Sequence, residues 1–133
     1  MVNFDALLNY HMGKTQKASA SEKLAEIIVE GIQDKKGSKI QVLDLRNIAN
    51  AISDFFIICH GSSNRQVDSI ADSVHDMVRE QVGEKPINTE GKTQAEWILM
   101  DYVNVVVHIF QEEQRDHYAL DELWADAKIK LID

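Results

Sequence analysis

The chain has 133 residues, enough for one domain with a genuine hydrophobic core. At 44% hydrophobic and 27% charged residues, its composition is typical of a globular protein and unlike that of a disordered one. The net charge of -8 argues against unaided binding to a phosphate backbone, whose affinity comes from Lys and Arg, and we expect no direct sequence-specific binding to nucleic acid. In a nucleoprotein particle, a basic protein is the expected contact.

Residues 1–18 mix a few apolar side chains with a polar run, and we interpret them as a weakly structured N-terminal extension of a domain at residues 19–133. The start lacks the pattern of a secretion or organelle signal. No apolar run approaches the ~20 residues that span a bilayer, so no membrane partner is expected. Cys59 is the only cysteine, which excludes an intramolecular disulfide and fits a reducing compartment. These features predict a cytoplasmic protein.

The first half of the domain predicts a helix followed by two strands. Ser19 and Glu22 have capping-box spacing, and Gly37 predicts a left-handed stop. The apolar residues between them recur at helical spacing: Leu24, Ile27, Ile28 and Ile32. The alternation of residues 39–45 then predicts a strand, and the apolar run at 55–59 predicts a strand buried on both faces.

A long amphipathic helix is predicted next, capped by Ser62, Ser63 or Asn64 and ended by Gly83. A short edge strand is expected at residues 87–90. Residues 96–110 then predict a β-hairpin with its turn at Asp101–Asn104. Alternation divides the first strand of the hairpin into two faces, with Trp97, Leu99 and Asp101 on one and Ile98 and Met100 on the other. Neither face is cleanly polar, so the hairpin is either covered on both faces or offers an apolar face to a partner.

Two helices, at residues 112–117 and 120–129, complete the predicted domain. The fold class is therefore α/β, a single domain with a mixed β-sheet flanked by helices. Tyr118 and Trp124 are predicted to lie in the core, on a helical stripe with Leu120 and Leu123. The acidic residues nearby predict a solvated face that would also suit a basic partner: Glu112, Glu113, Asp116, Asp121, Glu122 and Asp126.

Gly61-Ser62 lies at a strand-to-helix junction, where free backbone N–H groups can hold a phosphate. A nucleotidyltransferase site also needs two carboxylates, one residue apart on a nearby strand, to bind Mg²⁺. Here Asp101 stands alone, because position 103 is Val. The sequence therefore favours a cap without a ligand and predicts no catalytic residues.

Metal and nucleophile chemistry is also weakly indicated. Cys59, His60 and His108 have no zinc-type local spacing, and Glu113 with His117 lacks a third ligand. A Cys within an apolar strand is an inert thiol. We predict no metal and no cofactor. The type of residue at Trp97 leaves a core role and a binding role open, since Trp is both highly buried and enriched in binding hot spots.

Several segments in the same order closely resemble the Iojap family, whose bacterial members are ribosomal silencing factors. They are Ser53–Val67 (SDFFIICHGSSNRQV), Glu90-Gly91, Glu96–Tyr102 (EWILMDY), Val106–Phe110 (VVHIF) and Arg115–Trp124 (RDHYALDELW). The resemblance covers nearly the whole domain. It implies a nucleotidyltransferase-like fold without catalytic carboxylates, and a homodimer when the protein is free.

The resemblance further implies that the protein binds the large ribosomal subunit at ribosomal protein L-fourteen, blocks joining of the small subunit and so represses translation. It implies a docking surface around Trp97, with Ile98, Met100, Asp101 and Tyr102. The alternatives are a large-subunit assembly factor and a residual nucleotide-binding domain that uses Gly61, Ser62 and Asp101.

Two positions depart from the family pattern. Val103-Asn104 replaces the usual Gly-Asp of the hairpin turn. Since a β-branched residue avoids positive φ, either the turn differs or another turn type tolerates Val103. Gly61-Ser62-Ser63 replaces Gly-Thr-Ser and keeps the hydroxyl groups for capping.

Overall fold

A computed structural model describes residues 20–120 and 127–132 of the chain. The elements in these ranges are α1 (residues 20–34), β1 (Ser38–Asp44), β2 (Phe55–Gly61), α2 (Asn64–Val82), β3 (Asn88–Glu90), β4 (Trp97–Asp101), β5 (Val105–Gln111), α3 (Glu112–Tyr118) and β6 (Lys128–Ile132). The strands form one sheet in the order β3-β4-β5-β2-β1-β6. β2 and β5 pair in parallel and the other pairs are antiparallel. The predicted mixed sheet flanked by helices is confirmed.

The two faces of the sheet have separate cores. On one face, α1 and α2 cover alternate residues of the central strands, among them Ile57, Ile98 and Val107, which are fully buried. On the other face, a smaller cluster holds Phe56 and Phe110, and α3 lies over this part of the sheet. Every residue of β2 is buried, because it runs through the middle of the sheet between helices on both faces.

The helix ends follow the predicted signals with one exception. Ser63 caps α2, since its hydroxyl accepts from the backbone N–H of Gln66, and Gly83 ends the helix at φ 70°. α1 ends differently, because Lys36 rather than Gly37 has the positive φ, 60°. Gly37 is required for space, since a Cβ there would lie 2.3 Å from a methyl group of Ile32. Ser19 of the predicted capping box lies outside the described residues.

The prediction of a helix at residues 120–129 is wrong at its C-terminal end. Lys128 and Ile129 begin β6, which pairs with β1 at the edge of the sheet. Residues 121–126, which include Trp124, lie outside the described residues. The edge strand predicted at 87–90 is confirmed as β3. Within the described residues, every helix is too short or too polar to cross a bilayer.

Candidate functional site

The alternation of β4 decides which of its side chains a partner can reach. Trp97, Leu99 and Asp101 are half-buried on the face that carries α3. Ile98 and Met100 point into the opposite core, with 0% and 1% of their surface exposed. Tyr102 follows β4 and is also buried, at 6%. Of the five predicted docking residues, Ile98, Met100 and Tyr102 thus support the strand from inside and have almost no surface to offer, whereas Trp97 and Asp101 are partly exposed.

Four rings form an aromatic cluster on the α3 face, namely Trp97, His108, Phe110 and Tyr118. The indole of Trp97 stacks on Phe110 with ring centroids 5.0 Å apart and contacts Tyr118 at 4.6 Å. Its Nε1–H donates a hydrogen bond to Nδ1 of His108 at 3.1 Å. Phe110 is fully buried whereas Tyr118 is 46% exposed, so the cluster runs from the core to the surface. The prediction that Tyr118 lies in the core is wrong.

Trp97, Leu99, Asp101 and Tyr118 are hereafter called the Trp97 surface. A shallow depression of about 320 Å³ adjoins it, between the segment at residues 91–96 and α3, with Trp97 and Tyr118 in its wall. Such a combination of a large aromatic side chain and an adjacent hollow is typical of protein–protein docking sites.

The segment at residues 91–96 is held against α2 and β4. Gly91 has φ 87°, and a Cβ there would lie 1.9 Å from the carbonyl oxygen of Trp97, so only glycine permits this close approach. Lys92 forms ion pairs with Asp68, at 3.1 Å, and with Asp72. Desolvation lowers the pKa of Lys92, but hydrogen bonds to these two carboxylates outweigh it and raise the pKa overall. The wall of the depression is thereby anchored to the rest of the fold.

The far end of β4 is shaped by its turn. The last pair of the ladder is Asp101 with Val106, and the chain reverses between Tyr102 and Val105, one residue later than predicted. The backbone N–H of Asn104 donates to the carbonyl of Tyr102, which closes a three-residue turn around Val103 at φ 75°. Oδ1 of Asp101 accepts from the backbone N–H of Val103 at 2.8 Å. A different turn type thus tolerates a β-branched residue at positive φ.

The structure does not assemble the alternative nucleotide site. Gly61 pairs with Gln111 at one end of β5, whereas Asp101 pairs with Val106, five residues away and about 17 Å along the strand. At the helix entrance, Oε1 of Gln66 accepts the backbone N–H of Ser62 at 2.7 Å. This backbone N–H, which a phosphate would need as a donor, is therefore already bonded to the side chain of Gln66.

Of the candidate metal and nucleophile residues, Cys59, His60 and His108 are buried in the fold, whereas Glu113 and His117 are exposed on α3. Cys59 is fully buried, and burial raises the pKa of its thiol to about 12. Nδ1 of His60 accepts from the guanidinium of Arg115 at 3.0 Å, and burial together with that positive charge lowers the pKa of His60. Arg115 also donates to the carbonyl of Lys39 at 2.7 Å, which ties α3 to β1 and β2. Within residues 20–120 and 127–132, no three His, Cys, Asp or Glu side chains are grouped as metal ligands would be.

Sequence reasoning missed the contributions of Leu99, His108 and Tyr118 to this site. The signal for Leu99 was present, since alternation places it on the face of Trp97. His108 could be found only from the register of β4 with β5, and Tyr118 only from the path of α3, neither of which local periodicity gives. The acidic residues of α3 are exposed as expected, namely Glu112, Glu113 and Asp116.

Comparison with known proteins supplies the context for this surface. Residues 18–133 match the family model described as "Ribosomal silencing factor during starvation". The ribosomal silencing factor RsfS of Halalkalibacterium halodurans is 39% identical over 81% of this chain and 91% of its own length. That of Bacillus subtilis is 36% identical over 84% and 93%.

A solved structure agrees with these matches. A crystal structure of a protein from Bacillus halodurans superposes with a TM-score of 0.70 and 35% identity, over 84% of this chain and 98% of that chain. More distant similarities are partial: "Protein Iojap, chloroplastic" of Zea mays is 34% identical over 75% of this chain and 42% of its own length. "Mitochondrial assembly of ribosomal large subunit protein 1" of Mus musculus is 27% identical over 54% of this chain and 32% of its own length.

Proposed function

Because this chain belongs to the ribosomal silencing factor family, we propose that it binds the large ribosomal subunit and prevents the small subunit from joining. The proposed contact on the ribosome is ribosomal protein L-fourteen, and the proposed consequence is repression of translation. The mechanism is occlusion, in which the bound protein occupies space that the small subunit needs. Occlusion requires affinity and shape but no chemical step, so we propose that the protein is not an enzyme.

The observation that carries this proposal is the position of Trp97. Its ring is half-buried, contacts the exposed Tyr118 and adjoins a depression, so it offers a large rigid apolar contact beside polar groups. Residues with this combination dominate the free energy of many protein interfaces. The net charge of -8 further favours a basic protein over bare RNA as the contact on the ribosome.

The test is sedimentation of the purified protein with isolated large subunits, followed by addition of small subunits. We expect the protein to co-migrate with the large subunit and to reduce the joined-ribosome peak. Trp97→Ala should weaken large-subunit binding more than about fivefold, which is about 1 kcal/mol and more than most interface residues contribute. The matched control is Leu131→Ala, because Leu131 is 71% exposed and lies on β6, four strands and about 19 Å from β4.

Each outcome has a distinct meaning. A folded Trp97→Ala protein that binds as wild type removes Trp97 from the docking site. Binding without any loss of subunit joining would favour the second candidate, a large-subunit assembly factor, which the name of the mouse relative supports. No co-migration would refute the proposal, and calorimetry with ATP or GTP plus Mg²⁺ would then test the nucleotide alternative.

We also propose that the protein acts in the cytoplasm and is a homodimer when free of ribosomes. The family resemblance supports the dimer, and the single cysteine, Cys59, which fits a reducing compartment, supports the location. Light scattering coupled to size-exclusion chromatography tests the dimer, and a monomer across the micromolar range would refute it. Comparing Trp97→Ala with wild type in the same experiment tests whether dimerisation uses the Trp97 surface.

A further inference from the structure

His108 lies directly beneath the Trp97 surface. In the register of the hairpin it pairs with Leu99, which makes it the diagonal neighbour of Trp97, within reach of long or aromatic side chains. Only 4% of its surface is exposed. Phe56 contacts its ring at 5.0 Å, and Nδ1 lies 3.1 Å from Nε1 of Trp97. The imidazole thus joins the buried core to the half-exposed indole.

The hydrogen bond fixes the protonation state of this ring. An indole Nε1–H can only donate, so Nδ1 of His108 must accept, and the proton of the neutral imidazole then lies on Nε2. Burial lowers the pKa of His108 to about 4, so the acceptor is present at neutral pH. The ring is therefore a permanent acceptor under physiological conditions.

Keeping an imidazole in this place has a cost. Nε2 of His108 is buried and has no hydrogen-bond partner among residues 20–120 and 127–132. A buried polar group that finds no partner destabilises the fold, and in the described part of the chain Leu or Val would fill the same strand position without that loss. The gain that offsets this cost is the bond from Nδ1 to the indole of Trp97.

We propose that His108 is a positioning residue for docking, whose Nδ1 holds the indole of Trp97 at the angle at which its exposed face meets the partner. This inference rests on the proposed function for its consequence, but not for the contact itself. Tyr118 holds the indole from the surface side, with ring centroids 4.6 Å apart, and Phe110 supports it from below. His108 is the member of the aromatic cluster that fixes the rotation of the indole, because its bond to Trp97 is directional.

Three variants separate positioning from packing. His108→Asn retains an oxygen acceptor at the place of Nδ1, His108→Gln moves its amide to the place of Nε2, and His108→Leu keeps the bulk without an acceptor. The first readout is the hydrogen-exchange rate of the Trp97 indole N–H in the NMR spectrum. The chain has only two Trp residues, so Trp97→Phe identifies the signal. The second readout is the affinity for isolated large subunits.

We expect His108→Leu to raise the indole exchange rate and to weaken large-subunit binding, each about tenfold, as the loss of one hydrogen bond implies. His108→Gln should resemble His108→Leu, and His108→Asn should stay within about threefold of wild type. In a Trp97→Phe background, which lacks the N–H, His108→Leu should have little further effect on binding.

The inference and the proposed function fail in different ways. Wild-type indole exchange in folded His108→Leu, or equal losses in His108→Asn and His108→Leu, would overturn the inference whatever the binding data. If the exchange rates follow the expected order but wild-type protein does not bind large subunits, the proposed function fails and the positioning of Trp97 stands. If His108→Leu does not fold, the comparison of His108→Asn with His108→Gln decides, since both retain a polar amide.

Discussion

The lowered pKa of His108 makes the stability of the protein depend on pH in a calculable way. Well above pH 6.5 the side chain is neutral in both the folded and the unfolded chain. Between pH 6.5 and about 4 the unfolded chain binds a proton at this position and the folded protein does not, because burial disfavours the charged imidazolium. Stability is therefore lost as the pH falls through this window. With about 1.4 kcal/mol for each tenfold difference in proton affinity, the full loss is about 3 kcal/mol.

The assay is urea unfolding of wild type and His108→Asn at half-unit steps from pH 7.5 to 4.5. Other titrating groups, including Asp44 and His60, are present in both proteins, so the difference in pH dependence isolates position 108. The wild type should lose more stability than the variant over this range. Leu131→Ala, which removes no titrating group and changes an exposed side chain on β6, is the control and should retain the wild-type slope. Parallel curves for wild type and His108→Asn would show that His108 protonates in the fold as it does in water.

Two further predictions concern the hairpin turn and the buried thiol. Val103 has φ 75°, a conformation that costs residues with a Cβ about 1–2 kcal/mol, so Val103→Gly should be more stable than Val103→Ala by about 1 kcal/mol. Urea unfolding measures this, and the order found in ordinary helices and strands, with Ala above Gly, would contradict the turn geometry. Cys59 should not react with an aromatic disulfide reagent at pH 8 until the protein unfolds, because burial raises its pKa to about 12. Rapid modification of the folded protein would show that β2 opens locally.

The sequence was sufficient where one strong pattern determined an element. The apolar run at residues 55–59 suited a strand buried on both faces, and the six-residue apolar stripe of α2 with its Gly83 stop predicted a helix, although the cap was left open among Ser62, Ser63 and Asn64. β6 could not be found in this way. Its exposed residues, Ile129 and Leu131, have no buried face of their own, and pairing with β1 across more than 80 residues is a non-local choice that local periodicity does not encode.

The candidate site was predictable at its centre but not in its supports. Residue type left a core role and a binding role open for Trp97, the resemblance favoured binding, and strand alternation already separated Trp97 from Ile98 and Met100. Combining those two buried residues with Trp97 in one docking set ignored the alternation of β4. The role of His108 depends on a pairing register that the turn around Val103 sets, and that turn closes one residue later than the sequence suggested.

We expect His108→Leu to weaken binding more than it lowers stability, because the two ring nitrogens of His108 have different surroundings. Nδ1 has a partner that faces a docking surface, whereas Nε2 is buried without one in the described part of the chain. An apolar side chain would fill this strand position between aromatic rings without burying a polar atom. Stability alone therefore does not explain why a histidine is found here. Trp97, being half-buried, can turn its N–H toward water once the acceptor is removed, so His108→Leu need not lose much stability. What it loses is a single orientation of the indole. Without the hydrogen bond, the indole must become ordered when the partner docks. The free energy needed for this ordering is subtracted from the binding free energy, so the affinity falls.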